Sequence, residues 1–189
     1  MICILKSANA APQLNVITYP LIDSVLCCTL SNLGVALVMY DVTKLKTVLD
    51  CRTVMQRARQ RNVADVYEAV FRRMCHLAGF ENDDPDDPLV RDFYETLAAY
   101  EQLLTEKNGH TTAASRTRQK ITNKDVYQSL IDWTRGKVET NGFRLLVEAG
   151  FHQYTGEYLV ARYANRFPED VVRLARDRLS SHGIDLPNT

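Results

Sequence analysis

From Val63 onward the apolar residues of this chain return at helical spacing, and that periodicity restricts the fold more than any other feature. Val63, Val66, Tyr67, Val70, Phe71, Met74 and Leu77 recur at steps of three and one, which sets them along one face of a helix. Gly79 follows where a left-handed residue closes a helix at least cost, and Phe80 is then placed to fold back on Cys75. Leu89, Phe93, Leu97, Tyr100 and Leu104 repeat at steps of four and three, predicting a longer helix that ends before Asn108-Gly109. Between the two lies the acidic stretch 81–88, with Asp87 as N-cap and Pro88 in the first helical turn. Asp92, Glu95, Gln102 and Glu106 fall on the outer face of the second helix.

The same signals continue to the end of the chain. Asn123 caps a helix from Lys124 to Arg135 that carries Val126, Leu130, Ile131 and Trp133, and Gly136 stops it. Thr140-Asn141-Gly142 reads as a turn. A short helix over 143–149 is closed by Gly150, with Phe151 over Leu146. Residues 154–166 form a tyrosine-rich helix interrupted by Gly156. Pro168 opens the last helix, which turns Val171, Val172, Ala175 and Leu179 inward and ends at Gly183, with Ile184 against Leu179. Ahead of Val63, residues 44–61 predict a basic helix with Leu45, Val48 and Leu49 on one side, and Asn62 caps the helix that follows. The expected fold is mainly α, an irregular bundle of about six or seven helices. Its expected core is Phe71, Met74, Phe93, Leu97, Leu130, Trp133, Leu146, Leu159 and Leu179.

The first 43 residues differ in kind. Between Leu14 and Val42 the only charges are Asp23 and Asp41, and the apolar stretches are rich in Val, Leu, Ile and Cys. Ser31-Asn32-Leu33-Gly34 separates two of these stretches, so the segment reads as a β-hairpin arm, with a helical domain over 44–189. Residues 21–40 have the length to cross a bilayer, but Asp23, Ser24, Thr29, Ser31 and Asn32 within that window argue against a span. An arm this apolar is also a surface for a protein partner.

Chemistry is harder to find. Formal net charge is zero, from 23 basic and 23 acidic residues, so any polyanion site has to be a local patch. The five cysteines include no C-x-x-C pair, which points to reduced thiols in a cytoplasmic setting rather than a zinc site or a disulfide framework. Cys75 and His76 are adjacent and diverge by about 100° on a helix, so Cys75 reads as a small buried hydrophobe. The sequence holds no P-loop, dinucleotide fingerprint, nucleophile elbow or metal-ligand helix, and no cofactor or metal is expected.

Two segments remain. Charge alternates in blocks: residues 81–108 carry nine acidic and two basic side chains, and residues 109–144 carry three acidic and seven basic. Within the basic block, Arg116, Arg118, Lys120 and Lys124 are interleaved with hydroxyl and amide donors, a composition suited to phosphate contacts. If 113–121 is helical, a tight turn at Thr122-Asn123 makes a helix-turn-helix conceivable; otherwise the segment is a solvated basic linker facing the acidic helix before it. The leading expectation is a non-catalytic binding protein that touches nucleic acid or another polyanion through 116–124. The alternatives are an interaction subunit that uses the N-terminal arm, and an enzyme built around His152 and Glu157, which lie five residues apart.

Overall fold

The computed structural model describes residues 26–30, 36–80 and 86–186. They fall into two units, divided between Asp41 and Val42. In the first, Leu26–Leu30 (β1) and Ala36–Tyr40 (β2) pair antiparallel, with Cys28 opposite Val38. The apolar stretch 16–19, the turn at Ser31-Asn32-Leu33-Gly34 and part of the 21–40 window lie outside the described residues. No helix among the described residues is long and apolar enough to cross a membrane.

The second unit is a mainly α bundle. Its helices are Val48–Gln60 (α1), Ala64–Phe80 (α2), Pro88–Asn108 (α3), Ser115–Arg135 (α4), Asn141–Glu148 (α5), Gly156–Arg162 (α6) and Glu169–Ser181 (α7). Short 3-10 turns at Val42–Lys44, His152–Tyr154 and Ala164–Arg166 join them.

The α1 helix starts later than the charge pattern predicted, because Thr47 caps it: its Oγ1 accepts the Asp50 N–H at 3.0 Å. Its buried face is Cys51, Met55 and Ala58, while Leu49 is 72% exposed. The expected face of Leu45, Val48 and Leu49 is therefore wrong; in so polar a helix the position of α2 decides which side is covered. Asn62 is not the cap of α2. It adopts φ 56°, and the next residue, Val63, donates its N–H to the Ala58 carbonyl at 3.0 Å. That is a left-handed closure of α1, a conformation asparagine tolerates better than most side chains.

Gly79 departs from its expected role too. It lies inside α2, fully turned toward α3: a Cβ there would come 2.7 Å from Glu95 Cγ and 3.1 Å from the Arg91 carbonyl oxygen. Glycine is needed for the approach of two helices, not for a left-handed turn. Phe80 is the last residue of α2 rather than a residue folded back after it; it stands edge-on to His76 and under the Arg91 guanidinium, half exposed. The left-handed glycines are Gly109, Gly150 and Gly183. After the last two, Phe151 donates to the Leu146 carbonyl and Ile184 to the Leu179 carbonyl, as their spacing predicted.

The polar side of α3 is covered, not solvated. The helix packs against α2 on one side and against α5, α6 and the His152–Tyr154 turn on another, so it has no fully solvated face. Asp92 accepts from Tyr163 Oη at 2.6 Å and Arg162 at 3.0 Å, and Glu106 accepts from Tyr67 Oη and Arg59, each at 2.8 Å. Gln102 is 6% exposed and bonds both Arg52 and Glu106. Asp92, Glu95, Gln102 and Glu106 are thus interfacial groups that must be paired because they are covered.

The core runs from Leu89 and Phe93 on α3 through Val126, Leu130 and Ile131 on α4 to Leu159, Val160, Val171 and Ala175 on α6 and α7. Phe71 stacks on Phe151 at 4.0 Å and 11°, tying α2 to the segment after α5. Every expected core residue is buried except Trp133, which is half-buried. Thr140-Asn141-Gly142 is not a free turn: Thr140 Oγ1 accepts the Phe143 N–H and α5 starts at Asn141. Residues 154–166 form no continuous helix; Thr155 caps a seven-residue α6, and Tyr163 ends it.

Candidate functional site

The basic segment lies on α4, and its geometry follows from two carboxylates. Ala114 precedes the helix and offers no side-chain cap. Glu101 of α3 takes that role: its Oε1 accepts the Ala114 N–H at 2.8 Å while Arg118 grips both carboxylate oxygens at 2.7 Å. This bidentate pair keeps the Arg118 guanidinium firmly charged. The acidic and basic blocks of the sequence are thereby stapled together.

α4 is not a helix-turn-helix. Its two halves meet at one residue, Asp125, with φ 62° and ψ 173°, and no three- or four-residue turn separates them. Asp125 restarts the helix: its Oδ1 accepts the Gln128 N–H at 2.8 Å, and its carbonyl accepts Ser129 Oγ at 2.6 Å. The break and the cap expected at Thr122-Asn123 therefore sit two residues further on. Across the break, Lys120 and Lys124 both reach Asp132 Oδ2, at 3.3 and 3.0 Å. Gln128, Lys124 and Lys120 together hold the Asp132 carboxyl well below the usual carboxylate range.

Of the four expected site residues, three are thus engaged: Arg118 with Glu101, and Lys120 and Lys124 with Asp132. Arg116 is exposed and makes no ion pair among the described residues. It stands beside a 240 Å³ cavity between α3, α4 and the start of α5. Phe93, Tyr100, Trp133 and Phe143 contribute rings to the wall, and Thr96 and Glu157 contribute polar groups. No spacing in the sequence joins these residues: Phe93, Tyr100 and Trp133 stand out there as apolar helix positions and Glu157 as a partner for His152, and nothing local brings them to one cavity.

His152 and Glu157 are not brought together. His152 lies near the Tyr158 ring, with centroids 6.0 Å apart. Glu157 is 2% exposed and bonds Arg178 Nη1 at 2.5 Å. Arg178 Nη2 donates in turn to the carbonyls of Thr134 at 3.2 Å and Gly136 at 2.8 Å. The pair closes the C-terminal end of α4, whose last carbonyls lack helical donors. Burial pushes the Glu157 carboxyl above its ordinary range, and Arg178 offsets part of that rise.

Cys75 is fully buried and its thiol is pushed well up by that burial, so it is an unreactive core group. Beside it, His76 Nδ1 meets Glu95 Oε1 at 3.2 Å, and burial raises the Glu95 carboxyl despite that partner. Asp87 caps α3 as expected and also receives both guanidinium nitrogens of Arg166 at 2.6 and 2.9 Å; residues 81–85 of the acidic loop lie outside the described residues. Among the described residues no three His, Cys, Asp or Glu side chains converge as metal ligands would. Compared with protein-family profiles, curated proteins and solved structures, the chain matches none.

Proposed function

We infer that this is a non-catalytic helical binding protein that engages a polyanion, nucleic acid first among them, through the exposed first half of α4. The observation that supports the reading is the charge balance along that helix. Among the described residues, Arg118, Lys120 and Lys124 pair with Glu101 and Asp132 and Arg116 pairs with no carboxylate, so four cations there meet two carboxylates and the excess centres on Arg116. Ion pairs open to solvent hold their partners weakly, so a phosphate can take over Lys124 from Asp132 at small cost, whereas Lys120 also lies over the Trp133 ring. Arg118 stays committed to Glu101 and serves to orient the helix.

The test is a fluorescent single-stranded RNA and a DNA duplex titrated with the full chain at several salt concentrations. Binding should weaken as salt rises, and it should fall by about tenfold or more in Arg116→Glu/Lys124→Glu, a change that leaves the Glu101 staple intact. Binding indifferent to both salt and that double substitution removes the polyanion reading.

A further inference from the structure

The 240 Å³ cavity beside Arg116 has a chemistry of its own. Its wall is aromatic: Trp133 stacks on Phe93, with centroids 5.6 Å apart at 21°, and Tyr100 and Phe143 complete it. A cavity of about 150 Å³ already admits benzene, so this one holds a single ring with a short polar arm. One wall residue is unfinished. Thr96 lines the cavity, but its Oγ1 has no hydrogen-bond partner and almost no accessible surface, so the hydroxyl is turned out of the open space. Buried hydroxyls are rarely left so, and rotation about the Thr96 Cα–Cβ bond would give this one a partner in a ligand's polar atom. Glu157 also faces the cavity, but Arg178 already neutralises it, so the wall does not call for a cation. Positive character comes from Arg116, which pairs with no carboxylate among the described residues, and from the first turn of the eight-residue α5, where Asn141 and Gly142 lie at the positive end of the helix.

We propose that the cavity between α3, α4 and α5 binds a small single-ring aromatic anion, with the ring against Tyr100 and Trp133 over the buried Phe93 and Phe143, the acid group on Arg116, and the Thr96 hydroxyl rotating inward to donate to a ligand oxygen. This does not rest on the polyanion reading, although the two share Arg116. Lys124 belongs to the surface alone and Thr96 to the cavity alone, so either can fail without the other.

Trp133 is the only tryptophan of the chain and reports occupancy directly. The full-length protein is titrated with phenyl phosphate, phenylacetate and benzyl alcohol, with inorganic phosphate as the ring-less control. A saturable change in Trp133 emission is expected for both aromatic anions, with half-saturation below about 1 mM, the range a ligand of this size reaches. Benzyl alcohol should bind about tenfold more weakly. Arg116→Gln should remove the advantage of the anions over benzyl alcohol. Thr96→Val should weaken the aromatic anions without lowering the melting temperature, and Lys124→Glu should leave them unchanged. No saturable change with either anion overturns the proposal. So does an equal response to inorganic phosphate, or anion binding that survives both Arg116→Gln and Thr96→Val undiminished.

Discussion

The Arg178–Glu157 pair sets a sharp energetic test of how the C-terminal half of the bundle is held. Arg178→Met keeps most of the side-chain stem and its packing but removes the guanidinium. Glu157, 2% exposed, is left as a buried carboxylate without a partner, and the carbonyls of Thr134 and Gly136 lose their donor. Breaking a buried ion pair from one side costs about 3–5 kcal/mol. For a domain of this size each kcal/mol lowers Tm by about 2–4 °C, so a drop of roughly 6–20 °C is expected. The pH dependence has a definite sign. In the variant, burial acts on Glu157 without the Arg178 offset and raises its folded pKa further above the unfolded value. Such a group contributes stability that is present below the unfolded pKa and lost as pH rises through the folded one. The gap between parent and variant should therefore be smallest near pH 4 and widest near pH 8. Urea unfolding followed by Trp133 emission and far-UV circular dichroism measures it. Glu157→Leu/Arg178→Met should recover most of the loss, because the orphaned charge has gone. A single variant within about 1 kcal/mol of the parent at pH 8 refutes the account, and so does a gap that widens on acidification.

Gly79→Ala should destabilise the protein by about 1–3 kcal/mol in urea unfolding, because the new methyl meets the Arg91 backbone at 3.1 Å; a neutral result means that α2 and α3 can part freely. Asp125→Ala should cost about 1–2 kcal/mol, losing the cap on Gln128 while keeping the strained φ of 62°. Asp125→Gly should be close to neutral, and equal losses in the two variants discount the strain. Asp87, lowered to about 2 chiefly by its bonds to Arg166, contributes stability that is present above its unfolded pKa and lost as pH falls through about 2. With solvent screening this is about 1 kcal/mol, and the corresponding part of the acid transition should vanish in Asp87→Asn. A chain starting at Lys44 should stay soluble and melt cooperatively, since α1 to α7 each bury apolar residues of their own; insoluble or molten behaviour beside a well-folded full chain shows that the helical unit needs the arm.

Local signals in the sequence reached a long way. The periods of α2, α3 and α7, the Asp87 cap with Pro88, and the closures at Gly150 and Gly183 each depend on residues within one or two turns, and all appear in the structure. Where structure and sequence part, the cause is shared. Local grammar suits Asn62 as a cap and Gly79 as a stop, but the first closes the helix before it and the second makes room for a neighbour. The polar side of α3 looks solvated because polarity is visible in a sequence and coverage is not.

For the candidate site the division is sharper. The sequence by itself determined that a dense group of cations follows an acidic helix, and that the chain from Val63 on must form helices with one apolar side each. The tertiary structure alone decided which cations are already neutralised, since Glu101 and Arg118 are 17 residues apart and meet only when α3 and α4 pack. It alone decided that Glu157 pairs with Arg178 and not with His152, and that four rings and an unpartnered Thr96 enclose a cavity. The physical reason is range: caps, periods and left-handed turns are set by backbone bonds a few residues long, whereas ion-pair choice and cavities depend on which helix faces which, a property of the packed chain as a whole.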